Sequence, residues 1–146
     1  MKKHLLLTIA LGLMLTILLS ACGAAEPSDN LAGTSWKLVS YGPVENQTPA
    51  AEGIDTKVDF GSDGSVSGSM GCNRFSGSFS QKGDTLTFSP IAATEMACPE
   101  PQMTQESSAF QVMVETVKFE RNENSLTIFS PDGKNKLIFS SIESGS

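Results

Sequence analysis

Gly68-Ser69-Met70-Gly71-Cys72-Asn73-Arg74-Phe75-Ser76-Gly77-Ser78-Phe79, followed after a turn and a short strand by Thr94-Glu95-Met96-Ala97-Cys98, is the stretch that decides the fold. Before Cys98 the apolar residues recur every second position. Phe75 and Phe79 share one face with Gly77 between them, where a glycine marks a bend or the close approach of a neighbouring element. After Cys98 the period lengthens. Pro99 and Pro101 suit a helix start, and Met103, Phe110, Met113, Val114 and Val117 fall on one helical stripe, which predicts a helix over about residues 101–115 with Met103 and Met113 in the core.

Outward from this stretch the two-residue period continues on both sides. Residues 33–41 read as a strand with Trp36 and Leu38 inward, and residues 42–53, with two prolines and no periodicity, as a loop. Residues 57–60 and 65–68 form a hairpin about Gly61–Gly64, and residues 74–80 and 85–88 another about Gln81–Asp84. Three strands follow the helix, at 117–121, 125–129 and 134–139, joined by the turns Asn122-Glu123-Asn124 and Pro131-Asp132-Gly133. The expected fold is mainly β (α+β): an antiparallel, curled sheet or partial barrel of about eight short strands, with one helix covering its open side.

The N-terminus predicts an address. Met1-Lys2-Lys3-His4 is basic, and the apolar run from Leu5 to Leu19 is shorter than the ~20 residues a membrane span requires. Basic, apolar and small residues in that order make a signal peptide over residues 1–21. Leu19-Ser20-Ala21-Cys22 looks like a lipobox, so Cys22 is the expected lipidation site, carrying acyl chains such as palmitate that form a stable anchor. Gly23 behind it resembles an outer-membrane sorting signal. Residues 22–32 are expected to be a flexible tether, 33–140 the domain and 141–146 a disordered tail.

The chain has 146 residues with 10 Lys+Arg and 16 Asp+Glu; loss of Lys2 and Lys3 leaves eight against sixteen. An acidic domain argues against nucleic acid as a partner. The single histidine, His4, lies in the signal segment, so no Ser-His-Asp or Cys-His arrangement and no imidazole metal site is expected. A carboxylate pair in a shared cleft is the remaining catalytic option. The expectation is a non-enzyme without cofactor or metal.

Export makes a disulfide the natural fate of Cys72 and Cys98, closing a loop of about 27 residues for ~3.5 kcal/mol on the chain-entropy estimate. Free thiols or a redox pair are the alternatives, the latter disfavoured by the lack of C-x-x-C spacing. Trp36 is foremost a core anchor; Trp36, Asn73 and Arg74 are the candidate binding residues.

Residues 71–79 and 94–98, with Leu31-x-Gly33-x-x-Trp36 ahead and Glu106-x-x-x-Phe110 after, resemble the META domain of HslJ-type bacterial lipoproteins over about residues 29–140. The resemblance implies a small β-rich fold with a helix against a curled sheet, no transferable catalytic residues, and a loose tie to envelope stress and drug tolerance. It also resembles, at the level of fold, lipoprotein pilots that shelter an acyl chain or a protein segment in a cracked barrel. The expected function is binding of a protein partner or a lipid-like ligand at the membrane. The alternatives are inhibition of a cationic secreted hydrolase such as a lysozyme, and a carboxylate-based hydrolase.

Overall fold

The structure is a computed structural model in which residues 30–142 are described; the expected signal peptide, Cys22 and the start of the tether lie outside them. In chain order the elements are β1 (Thr34–Pro43), β2 (Thr48–Pro49), β3 (Lys57–Phe60), β4 (Ser65–Ser69), β5 (Arg74–Lys82), β6 (Thr85–Phe88), β7 (Ala92–Ala93), α1 (Gln102–Val112), β8 (Thr116–Arg121), β9 (Ser125–Phe129) and β10 (Asn135–Ser141).

Eight of the strands form one antiparallel meander, β1-β3-β4-β5-β6-β8-β9-β10, and β10 returns to pair with β1. Register runs from Trp36↔Ser141 to Pro43↔Asn135 along that last seam. The sheet is therefore a closed barrel rather than a partial one, and closure leaves no edge to aggregate. The inward residues, among them Trp36, Val58, Phe60, Val66, Leu86, Phe119, Leu126, Ile128, Leu137 and Phe139, are all buried. An eight-stranded barrel is just wide enough for such side chains to fill. The expected open side does not exist, and α1 covers an end instead.

Val39 explains a switch of face within β1. Pairing with β10 skips it, going from Leu38↔Phe139 to Ser40↔Ile138. A bulge shifts the alternation by one, so Trp36 and Leu38 point inward and then Tyr41 does, while Val39 is exposed. The loop beyond, read as structureless, folds back as β2 and pairs Thr48 and Pro49 with Tyr41 and Ser40.

The two ends of the barrel are closed differently. At one, Leu31 is 0 % exposed, its N–H donating to Gln81 Oε1 at 3.0 Å. Arg121 covers Trp36, 5.2 Å from the ring centroid, and donates to the Asn30 carbonyl. The folded body thus begins by Leu31, inside the stretch expected to be tether. Likewise Ser141 belongs to β10 and the Ile142 N–H donates to Ser35 O, so the expected tail starts no earlier than residue 143. At the other end α1 spans the mouth, against the exit of β4 and the entry of β5.

Candidate functional site

The signature stretch meets α1 through polar contacts. Gln105 and Glu106 are buried, and each serves backbone. Gln105 Nε2 donates to Met70 O and Gln105 Oε1 accepts from Ala51 N, both at 2.7 Å. Glu106 Oε2 accepts the N–H groups of Cys72 and Asn73, and Glu106 Oε1 accepts Asn73 Nδ2 at 2.7 Å. These loops lose their ladder partners where the strands end, and buried amides need acceptors. Gly71 is required at this contact, because a Cβ there would lie 2.4 Å from the Gln102 carbonyl oxygen.

Asn73 continues the network to the far loop. Its Oδ1 accepts Thr94 Oγ1 at 2.8 Å and Met96 N at 2.7 Å, while Nδ2 also reaches Met96 O at 3.3 Å. Cys72 and Cys98 form a disulfide with Cα atoms 5.9 Å apart, fastening the same loop one step further along. The Glu100 carboxylate accepts the Thr104 N–H in the first turn of α1, where negative charge suits the helix N-terminus.

This geometry redistributes the candidate residues. Trp36 is 1 % exposed and Asn73 is buried with its amide fully engaged, so neither offers a surface to a ligand. Arg74 is exposed at the start of β5, where its backbone N–H donates to Thr94 Oγ1 and its carbonyl accepts the Thr94 N–H. The three are not brought into one site.

The helix carries the larger correction. Its buried face is Gln105, Glu106, Ala109 and Val112, with Met113 just beyond. At about 100° per residue this face is centred roughly a third of a turn from the stripe Met103–Phe110–Val114. Met103 and Phe110 are only half-buried and Val114 is 40 % exposed. Of the residues expected on the core stripe, Met113 and Val117 are buried, and it is the stripe Met103–Phe110–Val114 that lies toward the outside.

That stripe borders a cleft of about 400 Å³ between the segment after β6 and the end of α1, lined by Phe88, Pro90, Ile91, Phe110, Met113 and Val114. The Ile91 side chain lies over Gly77, where a Cβ would be 3.3 Å away, so the glycine seats one wall. The Phe110 ring meets Phe75 edge-on at 5.7 Å and holds the opposite wall. A shallower hollow with Met103, Ser107 and Gln111 continues along the helix past Phe110 and Val114. Sequence reasoning missed the groove, although the alternation of polar Gln105-Glu106 with the stripe was readable.

A second, open cleft of about 600 Å³ runs along β8 and the β9–β10 turn and includes Asp84 and Glu120. Acid–base pairs depend on environments that differ between the two carboxyls; both of these are exposed. Asp63 and Asp132 hold turns, and hydrogen bonds from Ser65 and Ser130 respectively lower their pKa values. No group of three or more metal-ligating side chains occurs among the described residues.

The model of the family described as the META domain matches residues 29–143. No curated protein matches the chain. Among solved structures, an NMR structure of a protein from Burkholderia xenovorans is similar at 24 % identity and TM-score 0.65, covering 77 % of this chain and 84 % of that one. A second protein solved by NMR is 26 % identical with TM-score 0.60, covering 75 % and 90 %. A crystal structure of a DUF4847 family protein from Bacteroides vulgatus ATCC 8482 is 15 % identical with TM-score 0.55, covering 79 % and 96 %, a likeness of fold.

Proposed function

The chain belongs to the META domain family, and from that premise we propose that it is a non-catalytic binding module of the cell envelope, anchored through acylated Cys22, whose groove beside α1 takes an apolar group. The observation that carries this reading is the uncovered stripe Met103–Phe110–Val114 next to the cleft under Ile91. A helix that turns Gln105 and Glu106 inward and keeps apolar side chains outside has an arrangement that packing alone does not favour, and contiguous exposed apolar surface marks binding sites. The site offers shape and apolar contact. Its role belongs with envelope stress or drug tolerance, in which a bound ligand or partner is sensed or sequestered.

Two experiments test it. Purified protein is photolabelled with a diazirine-bearing decanol, a neutral apolar probe, and cross-linked peptides are mapped by mass spectrometry. Labelling concentrated at Ile91, Phe110 and Val114, and reduced by Val114→Ser, is expected; labelling spread evenly over the surface overturns the groove. For the anchor, Cys22→Ser is expected to release the protein from membranes, and continued retention overturns lipidation there.

A further inference from the structure

The segment that builds the groove has a distinctive charge pattern. From Gly83 to Val117 the chain has no Lys, Arg or His, and it has five carboxylates: Asp84, Glu95, Glu100, Glu106 and Glu115. This segment supplies β6, β7, the loop tied down by Asn73, and all of α1. Glu106 is spent on backbone amides inside. Glu95, Glu100 and Glu115 are exposed, and Glu115 is the one charged residue lining the apolar cleft. Glu115 is also fixed in place: its backbone is left-handed, with φ at 49°, and its carbonyl accepts the Phe88 N–H at 2.8 Å. Met96, 53 % exposed, is a further exposed apolar side chain on the loop before the helix.

The placement of this segment matters as much as its charge. The folded body begins at Asn30 and Leu31, against Gln81 and Arg121. Gln81 and Arg121 lie at the ends of β5 and β8 away from α1, because β5 enters at Arg74 beside Glu106 and β8 starts at Thr116 just after the helix. Barrel strands of four to ten residues, at about 3.3 Å per residue, separate the two poles by roughly 15–30 Å. The segment leading back toward residue 22 therefore joins the body at the pole opposite the groove.

We propose that the α1 groove docks a cationic, amphipathic segment of a protein partner, its apolar side chain entering between Ile91 and Phe110 and a Lys or Arg beside it pairing with Glu115. This deepens the binding reading above and rests on it. An apolar cleft whose one charged lining residue is the carboxylate Glu115 matches such a segment on both counts, the groove giving affinity and the charge giving orientation and encounter rate. An anionic lipid surface meets the opposite preference here, and the groove faces away from the pole where the chain enters the body.

The test uses the full chain in nanodiscs of zwitterionic lipid, with empty discs subtracted. Fluorescence anisotropy follows two labelled amphipathic peptides of identical Leu spacing, one with Lys and one with Glu at the polar positions. The Leu/Lys peptide is expected to bind about tenfold more tightly than the Leu/Glu peptide, Val114→Ser to weaken it several-fold, and Glu115→Lys to abolish the preference. Equal binding of the two peptides, or a preference untouched by both substitutions, overturns the proposal. If decanol labelling of Ile91 and Phe110 persists in that case, the apolar groove stands and only its cationic partner falls; if labelling is lost as well, both fall.

Discussion

Glu106 holds Asn73 by two of its donors at once, the backbone N–H on one carboxylate oxygen and the side-chain amide on the other. A side chain on the helix thereby supplies the acceptor that the loop ahead of β5 lacks. Glu106→Ala would leave the N–H groups of Cys72 and Asn73 and the Asn73 amide without that acceptor. Orphaned donors of this kind cost about 1–3 kcal/mol each, so a loss of about 3 kcal/mol is expected in urea unfolding, with Glu106→Gln losing less. A change below half a kcal/mol for the alanine variant would refute the role.

Asn73 and the disulfide secure the same loop at adjacent points, Thr94–Met96 by the amide and Cys98 by sulfur. Reduction is therefore expected to leave the fold intact while lowering stability by about 3 kcal/mol. Amide NMR shifts on reduction should stay within residues 71–74 and 94–102. Collapse of the whole spectrum would show that the disulfide alone organises this end.

Three glycines predict a graded series. At Gly68, with φ at 154°, a Cβ would sit 1.9 Å from the Lys57 carbonyl oxygen; at Gly71, 2.4 Å from that of Gln102; at Gly77, 3.3 Å from the Ile91 side chain. Backbone cannot step aside as a side chain can, so alanine at the first two is expected to cost more than about 2 kcal/mol and at the third less than about 1. Thermal melts would check the order, which fails if Gly77→Ala is the worst.

Trp36, the sole tryptophan, is buried at the pole away from the groove. Its fluorescence should be blue-shifted and poorly quenched by acrylamide, and should not respond when the groove is filled. Arg121→Ala is expected to red-shift it and to cost about 0.5–1 kcal/mol, the usual size of such a cation–ring contact. An emission change on groove ligation would place the ligand elsewhere.

Asp63 and Asp132 give a pH prediction. Each has its pKa lowered in the folded state, chiefly by the hydroxyl of Ser65 or Ser130. A carboxyl with a depressed folded value stabilises above its unfolded pKa, near 4, and that contribution is lost as pH falls through the folded value. Ser65→Ala and Ser130→Ala should raise the respective carboxyl pKa in an NMR titration and flatten the loss of stability below about pH 4. An unmoved titration would show that the hydroxyls do not set it.

Most of the eight barrel strands were legible because they show a two-residue alternation, with Val58 and Phe60, Leu86 and Phe88, or Leu126 and Ile128 inward. The two-residue strands β2 and β7 carry no period to read. Closure of the barrel was not legible, since pairing of β1 with β10 joins the two ends of the chain and leaves no local mark. Tyr41 was lost to the bulge at Val39, which no propensity announces. The helix was found with Met113 inward as expected but with Met103 and Val114 misplaced, because its buried face satisfies backbone amides with Gln105 and Glu106 and so does not look apolar. For the same reason Asn73 looked like a binding residue: a polar side chain in a distinctive motif gives no hint of how many partners it already has.

The seam between β1 and β10 gives the chain a circular order. Trp36 pairs with Ser141 and the Ile142 N–H reaches Ser35, so both ends of the described body emerge at the pole remote from α1. Nothing in the barrel distinguishes a first strand from a last one, and a short bridge across this seam with a new opening at the Asp63–Gly64 turn would rewrite the order of the strands without breaking a single ladder. Anything fused to either end of the described body would stand at that pole, leaving the helix pole unobstructed.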